Sequence, residues 1–265
     1  MRNPEWNRLF PEDDFRWSMS LRPGNATDFF SPSAMADKTL ALRRALISNH
    51  GEHYAVLPSG ADDLVAVVLE HFSEWTGRRF CNGFEAGSEL EPDWVLMRPD
   101  ETGSFRVAVG VVCFPSRWSL PEKAGLPMEA VHAPVPVLNE SLGRQIGTFL
   151  GRLAVGAQWE RENWGFSADP DLDHHPRLPR SELTGTESLN QVWLRLERQL
   201  FVRLSDVGIL FGIRVSNHRL DEVVSAEPGL ASRIARALRT MPEEVAAYKD
   251  VAAIAGKLAT KDRFE

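Results

Sequence analysis

The sequence predicts an α+β fold: one antiparallel sheet with helices on one side, extended by further helices at its N- and C-terminal ends. Three observations predict it. Two strand-like segments rich in Val and aromatics, Asp93 to Arg98 and Phe105 to Phe114, precede a block of short helical pieces, and three further strand patterns follow that block. Helical periodicity precedes residue 93 and returns after residue 216. Finally, 43% hydrophobic residues in a chain of 265 can fill a sizeable core.

Taken in order, the first thirty residues mix aromatics with Pro, Gly and charge and hold neither helical nor strand period. They read as an irregular arm pinned to the body by Trp6, Phe10, Phe15 and Trp17. Two helices should follow. SAMADKTLALRRALISNH starts from a Ser33 cap, and ADDLVAVVLEHFSEWTGRRF turns Leu64, Val67, Val68, His71 and Trp75 inward. The strands DWVLMR and FRVAVGVVCF are joined by the turn-forming PDETGS. The helical pieces SLPEKAGL, LPMEAVH and NESLGRQIGTFLGRL come next, the last with Leu142, Ile146, Phe149 and Leu150 on one stripe.

Strand character then resumes with QWERENWGF and with VWLRLERQLFVRL. In the latter, Leu194, Leu196, Leu200, Val202 and Leu204 share a face. VGILFGIRV follows a tight connection at Ser205-Asp206, so these two strands should be antiparallel neighbours. DPDLDHHPRLPRSELTGTES reads as an exposed loop, and ASRIARALRTM and PEEVAAYKDVAAIAGKL as two helices outside the sheet. Two strands, short helices, then three strands is the order of a PAS-like domain, whose sheet cups a ligand against its helices. The divisions expected are an arm with helices over 1–92, a PAS-like core over 93–216 and a helical extension over 217–265.

Composition excludes several functions. A net charge of −7 argues against a broad nucleic-acid face, while leaving room for a local basic pocket. Cys81 and Cys113 are the only cysteines and lack metal-ligand spacing, which suits a reducing cytoplasm and encodes no zinc or iron–sulfur framework. MRNPEWNRLF lacks the apolar run of a signal peptide, and no stretch nears the roughly 18 apolar residues of a membrane span, so neither export nor membrane insertion is expected. Phosphate-binding glycine motifs, a G-x-S-x-G elbow and H-E-x-x-H are all absent.

The candidate chemistry starts at VHAPVPVLNE. Its prolines should hold Ala133 and Val135 extended and end a helix at His132. An imidazole on so stiff a support suits a metal or haem iron ligand, or else a buried hydrogen bond at a helix end. In RLERQLFVRL, Arg198 falls on the apolar face and must meet a carboxylate, of protein or ligand, because burying a lone guanidinium costs several kcal/mol. Trp193, Arg195, Glu197, Gln199 and Arg203 form the opposite, polar face.

FPSRWSLPEK offers Ser119 and Glu122 as a capping box, with Arg117 and Lys123 near His132 as anion-binding cations, or solvated around a packed Trp118. Asn163 and Trp164 read as packing and a hydrogen bond. His174 and His175 beside Asp171 and Asp173 are either chelating or solvated loop residues.

FPSRW, HAPVP, ENW, LRLERQLFVRL and FGIRV, in this order, with FRWSMSLRP near the start, resemble the haem-dependent oxidative N-demethylase family, alpha-subunit type. The resemblance implies a PAS-like fold turned enzyme. It implies haem b in the PAS cavity, with dioxygen oxidising the N-methyl group of a small, dimethylamine-like alkylamine and formaldehyde being released.

His132, inside the family's HxPVP motif, is then the expected iron ligand. Arg117, Trp118 and Lys123 are expected around the cofactor, and Glu197 and Arg198 as active-site partners. Electrons would come from NADPH through a separate flavin and iron–sulfur reductase subunit. The family's last strand continues Ile-Arg with Thr-Tyr, whereas Val215-Ser216 stands here, which bears on substrate preference. A PAS-type haem or small-ligand sensor without turnover is the alternative, and a ligand-free scaffold the plainest one.

Overall fold

The computed structural model describes residues 4–179, 181–249, 251 and 254. Seven strands make one sheet. They are β1 (Arg22–Pro23), β2 (Ala55–Val56), β3 (Asp93–Pro99), β4 (Phe105–Val111), β5 (Gln158–Ser167), β6 (Trp193–Leu204) and β7 (Gly208–Arg219). The order across the sheet is β1-β5-β6-β7-β3-β4-β2, and every pairing is antiparallel. Its five central strands stand, in chain order, as 2-1-5-4-3, the PAS arrangement expected from the sequence.

Leu204 pairs with Gly208 across a short 3-10 turn at Ser205–Val207, which makes β6 and β7 immediate neighbours. Gly208 has φ +155°, and a Cβ there would collide with the Met97 carbonyl oxygen of β3.

The sheet is covered on both faces, and the alternation of β6 shows how. Leu200, Val202 and Leu204 join Trp94 and Leu96 of β3 under a helical layer from the N-terminal region. After α1 (Trp6–Leu9) in the arm, that layer comprises α2 (Ala26–Phe30), α3 (Ala36–Tyr54), α4 (Asp62–Thr76) and α5 (Gly83–Glu89). Phe201 of β6 joins Val95, Met97, Ile209 and Phe211 on the other face, beneath α6 (Met128–His132) and α7 (Arg144–Arg152).

A bulge at Leu96/Met97 lets Phe105 and Val107 of β4 face one layer and Val109 and Val111 the other. The third cluster gathers Phe10, Phe166 and Leu194 with α8 (Leu220–Ala226), α9 (Leu230–Thr240) and α10 (Glu243–Tyr248). Trp6, Phe15 and Trp17 of the arm pack against it, as expected.

Several local expectations are corrected. Helix α3 starts at Ala36 with Met35, not Ser33, in the N-cap position and no side-chain cap; the Ser33 hydroxyl donates to Glu91 at 2.6 Å and accepts from Met35 N at 3.1 Å, too early in the chain to cap the helix. The buried stripe of α4 is Val68, Leu69 and Phe72, with Val67 and His71 only partly buried. Ser119 forms no capping box, and SLPEKAGL contains only a 3-10 turn at Pro121–Lys123. Helices α2 and α5, too short to show a period, start at Asn25 and Asn82, whose side chains accept from Asp28 N and Glu85 N. Of the last expected helix, the part beyond Lys249 lies outside the described residues except for Val251 and Ile254.

A buried ion pair joins the layers. Arg43 of α3 is fully buried and donates from Nη1 to Asp93 Oδ1 at 2.6 Å and from Nε to the Gly87 carbonyl at 2.6 Å. Asp93 also accepts from Cys113 N at 2.7 Å and Phe114 N at 3.0 Å, where the chain leaves β4. Removing one partner strands the other charge in the core. Asp93→Ala should therefore lower the unfolding free energy by about 3–5 kcal/mol in urea titrations, and a loss below about 1 kcal/mol would contradict this role.

Candidate functional site

Helix α6 ends at His132, as the sequence implies, but Ala133 is helical (φ −53°, ψ −35°) rather than extended. The reason is local. The Ala133 N–H donates to the Ala130 carbonyl at 3.4 Å and Val135 N–H to His132 O at 2.9 Å, so the chain folds back in a tight turn. Val137 then takes φ +51°, a conformation that costs a β-branched residue on the order of 1–3 kcal/mol. A π-helical turn at Asn139–Gly143 leads into α7, and Asn139 Nδ2 donates to the Glu129 carbonyl at 2.9 Å, tying that turn to α6.

His132 thus sits between two locked turns and lines a cleft of about 360 Å³, with Phe105, Met128, Asn139, Ile146 and Leu150. That size falls within the range of ligand pockets. Burial, reinforced by the Arg161 and Lys123 cations, lowers the imidazole pKa and favours the neutral, metal-binding form.

The face of β6 that meets α7 also carries Glu197. Its carboxylate accepts from Ser116 Oγ at 2.5 Å, Gln199 Nε2 at 2.9 Å and Asn163 Nδ2 at 3.3 Å. Behind it, the buried Arg195 donates from Nε to Ser116 Oγ at 2.9 Å and from Nη2 to the carbonyls of Leu172 (2.8 Å) and Phe114 (3.0 Å). Asn163, Glu197 and Val215 lie side by side across β5, β6 and β7.

Cations collect on this face. Arg161 is paired across strands with Gln199; its Nε is buried without a hydrogen-bond partner among the described residues, and burial lowers its pKa against the pull of Glu197. Lys249, just after α10, donates to the Trp164 carbonyl at 2.7 Å and stands over the Trp164 and Trp17 rings at 4.7 and 5.6 Å. Burial pushes its pKa down to about 8.

The other expected site residues are distributed unevenly. Lys123, in the 3-10 turn, is near enough for its charge to act on His132, and Trp118 packs in the cluster that includes Val131 of α6. Arg117 takes φ +66°, donates its N–H to the His174 carbonyl at 3.1 Å and has its guanidinium 3.4 Å from Tyr248 O.

Arg198 points the opposite way from Glu197. Its expected carboxylate is Glu160, held by Nε at 2.8 Å and Nη2 at 2.9 Å, and the guanidinium covers the Phe29 ring. The two neighbours in sequence are therefore on different faces of β6 and are not brought together.

The expectation of an exposed histidine doublet is corrected. His175 is 5% exposed, and His174 is partly buried against Asp169, since Arg195 and Asn217 bind the carbonyls of this loop and pull it onto the sheet. Sequence reasoning missed Arg161, Ser116 and Lys249. Strand alternation places Arg161 beside Asn163, but nothing in the local pattern of Lys249 signals its arrival at Trp164.

An imidazole biased toward its neutral form in a cleft, with a half-buried guanidinium and a half-buried ammonium nearby that meet no carboxylate directly among the described residues, suits a cofactor that combines a metal with acidic substituents. Residues 84–259, about two thirds of the chain, match the family described as haem-dependent oxidative N-demethylase, alpha subunit-like. The chain belongs to that family. Its name denotes haem-dependent oxidation and implies a partner for the alpha-type subunit. Among the described residues, no helix is long and apolar enough to cross a membrane.

The depressed Lys249 pKa has a measurable sign. The unfolded chain holds this proton up to the ordinary value of 10.5 and the folded one only to about 8, so stability should rise as pH increases between these values. Urea unfolding of Lys249→Met should lack that component of the rise; an identical pH profile would show that the ammonium is not held as described.

Proposed function

We propose that this family member binds haem b through His132 and, with dioxygen, oxidatively demethylates a small dimethylamine-like alkylamine, releasing formaldehyde. The observation that carries the reading is His132 lining a cleft, its imidazole biased toward the neutral form by burial and by the nearby Arg161 and Lys123 cations. In this reading Arg117, Lys123, Arg161 and Lys249 neutralise the haem carboxylates, and Trp118 packs beside the cofactor. The haem, when bound, supplies the one-electron and dioxygen chemistry.

Glu197 is the proposed catalytic residue. Its three hydrogen-bond donors orient it toward a cationic amine, and Arg195, acting through Ser116, is a positioning residue. Val215, directly across from Glu197, would shape the space for the amine's alkyl groups. Arg198 is assigned a structural role in joining β5 to β6 through Glu160. The site draws on all three expected divisions, with Trp17 from 1–92, His132 and Glu197 from 93–216, and Lys249 from 217–265. Electrons are proposed to come from NADPH through a separate flavin and iron–sulfur reductase subunit, in the cytoplasm.

An absorption spectrum tests the cofactor assignment. The wild-type chain should show a Soret band that His132→Ala shifts or abolishes, and an unchanged band would reject His132 as the ligand. Formaldehyde release with amine, dioxygen and a reductant then tests turnover; a haem band without formaldehyde would favour the sensor reading. Glu197→Gln should keep the Soret band while lowering kcat/KM for the amine by about 10²-fold or more. A loss below threefold would remove Glu197 from catalysis.

A further inference from the structure

A second cluster of ligand-type side chains lies at the end of α3, in the helical layer on the sheet face opposite the His132 cleft. The helix breaks at His50, whose φ of −147° and ψ of 30° are non-helical, and the break gathers His50, Glu52 and His53. One ligand atom from each lies within 4.8 Å of the others, His53 Nε2 stands 3.1 Å from Glu52 Oε1, and the two imidazole rings are 6.0 Å apart. His50 and Glu52 are exposed and His53 half-buried, so an ion can reach them.

An independent observation points to the same place. The buried His175, from the loop after β5, has its ring 6.3 Å from that of His53. Its Nδ1 accepts from Arg177 N–H at 3.2 Å, which assigns the ring proton of the neutral form to Nε2. That Nε2 is buried and has no hydrogen-bond partner among the described residues. An unmet buried donor on a ring beside His53, itself one of the three clustered ligands, is explained if something that accepts a hydrogen bond occupies the gap.

We propose that His50, Glu52 and His53 bind one Zn²⁺, with a water in the fourth position that accepts from His175 Nε2–H. Two imidazoles and one carboxylate form a borderline-soft set that suits zinc, and three protein ligands plus water is a common zinc arrangement. The site has a mechanical consequence. Tyr54, next to His53, donates to Asp173 Oδ2 at 2.6 Å, and Asp173 Oδ1 accepts from His175 N at 3.0 Å. The same loop offers the His174 carbonyl to Arg117 and the Leu172 carbonyl to Arg195. Zinc would therefore clamp α3 to the loop that supports Ser116 and Glu197, and this assignment stands independently of the haem.

The test uses the untagged full-length chain, stripped with a chelator and titrated with Zn²⁺ by calorimetry, with bound metal counted by elemental analysis. One equivalent per chain should bind and raise Tm. His50→Ala with His53→Ala, one exposed and the other half-buried, should remove that equivalent and the Tm shift while the circular dichroism stays native. Glu52→Gln should weaken binding at least tenfold, and His175→Gln should weaken it without changing the stoichiometry. His132→Ala should leave zinc binding unchanged, which separates this site from the cleft. Absence of Zn²⁺ binding, or an equivalent that survives the double substitution, would overturn the proposal.

Discussion

Asp93 is the constraint on which the remainder of the structure depends. A carboxylate so deeply buried needs its negative charge and lone pairs met, and Arg43 with the backbone N–H groups of Cys113 and Phe114 meets them. Burial pushes the Asp93 pKa up, while the guanidinium and the two backbone donors oppose that rise. The pair thereby fixes helix α3 against β3 and sets where the chain leaves β4. From there the hydrogen bonds continue. The Phe114 carbonyl accepts from Arg195, Arg195 holds Ser116, and Ser116 donates to Glu197. A contact that stabilises the core thus also orients a carboxylate proposed to meet the substrate.

The two faces of the sheet use charge differently. On the face under α2, Arg22 binds Glu162, Arg198 binds Glu160 and Arg214 binds Glu91, each through direct hydrogen bonds. These pairs seat the N-terminal layer; breaking one leaves an uncompensated charge in a dry interior. On the other face, among the described residues, Arg161 forms no ion pair with a carboxylate, and Lys249 rests on a carbonyl and two indole rings. Balanced charge marks the structural face, and the cationic excess marks the face assigned to the cofactor.

Two of the strained backbone positions bracket the segment that holds His132. Arg117 and Val137, both at positive φ, flank the segment that carries Lys123 and His132, and the π-helical turn at Asn139–Gly143 follows directly. Such conformations persist because the surrounding packing enforces them, and they restrict how far His132 can move.

Much of this was legible in the chain itself. Alternation in β6 and the order of strands and short helices determined the α+β sheet, because a period of two permits one arrangement of inward and outward residues. The prolines after His132 marked where α6 stops, although the chain there turns tightly instead of extending at Ala133, and the burial of Arg198 foretold a carboxylate partner. Only the tertiary structure decided that this partner is Glu160, that Glu197 faces the other way with Ser116 and Asn163, and that Lys249 joins Arg161. It also decided that the helix breaks at His50 and that the buried His175 comes up beside His53. Local periodicity records which residues share a face of one element. Which elements meet depends on burying apolar surface and matching charges between segments far apart in the chain, and no short window of sequence contains both sides of such a contact.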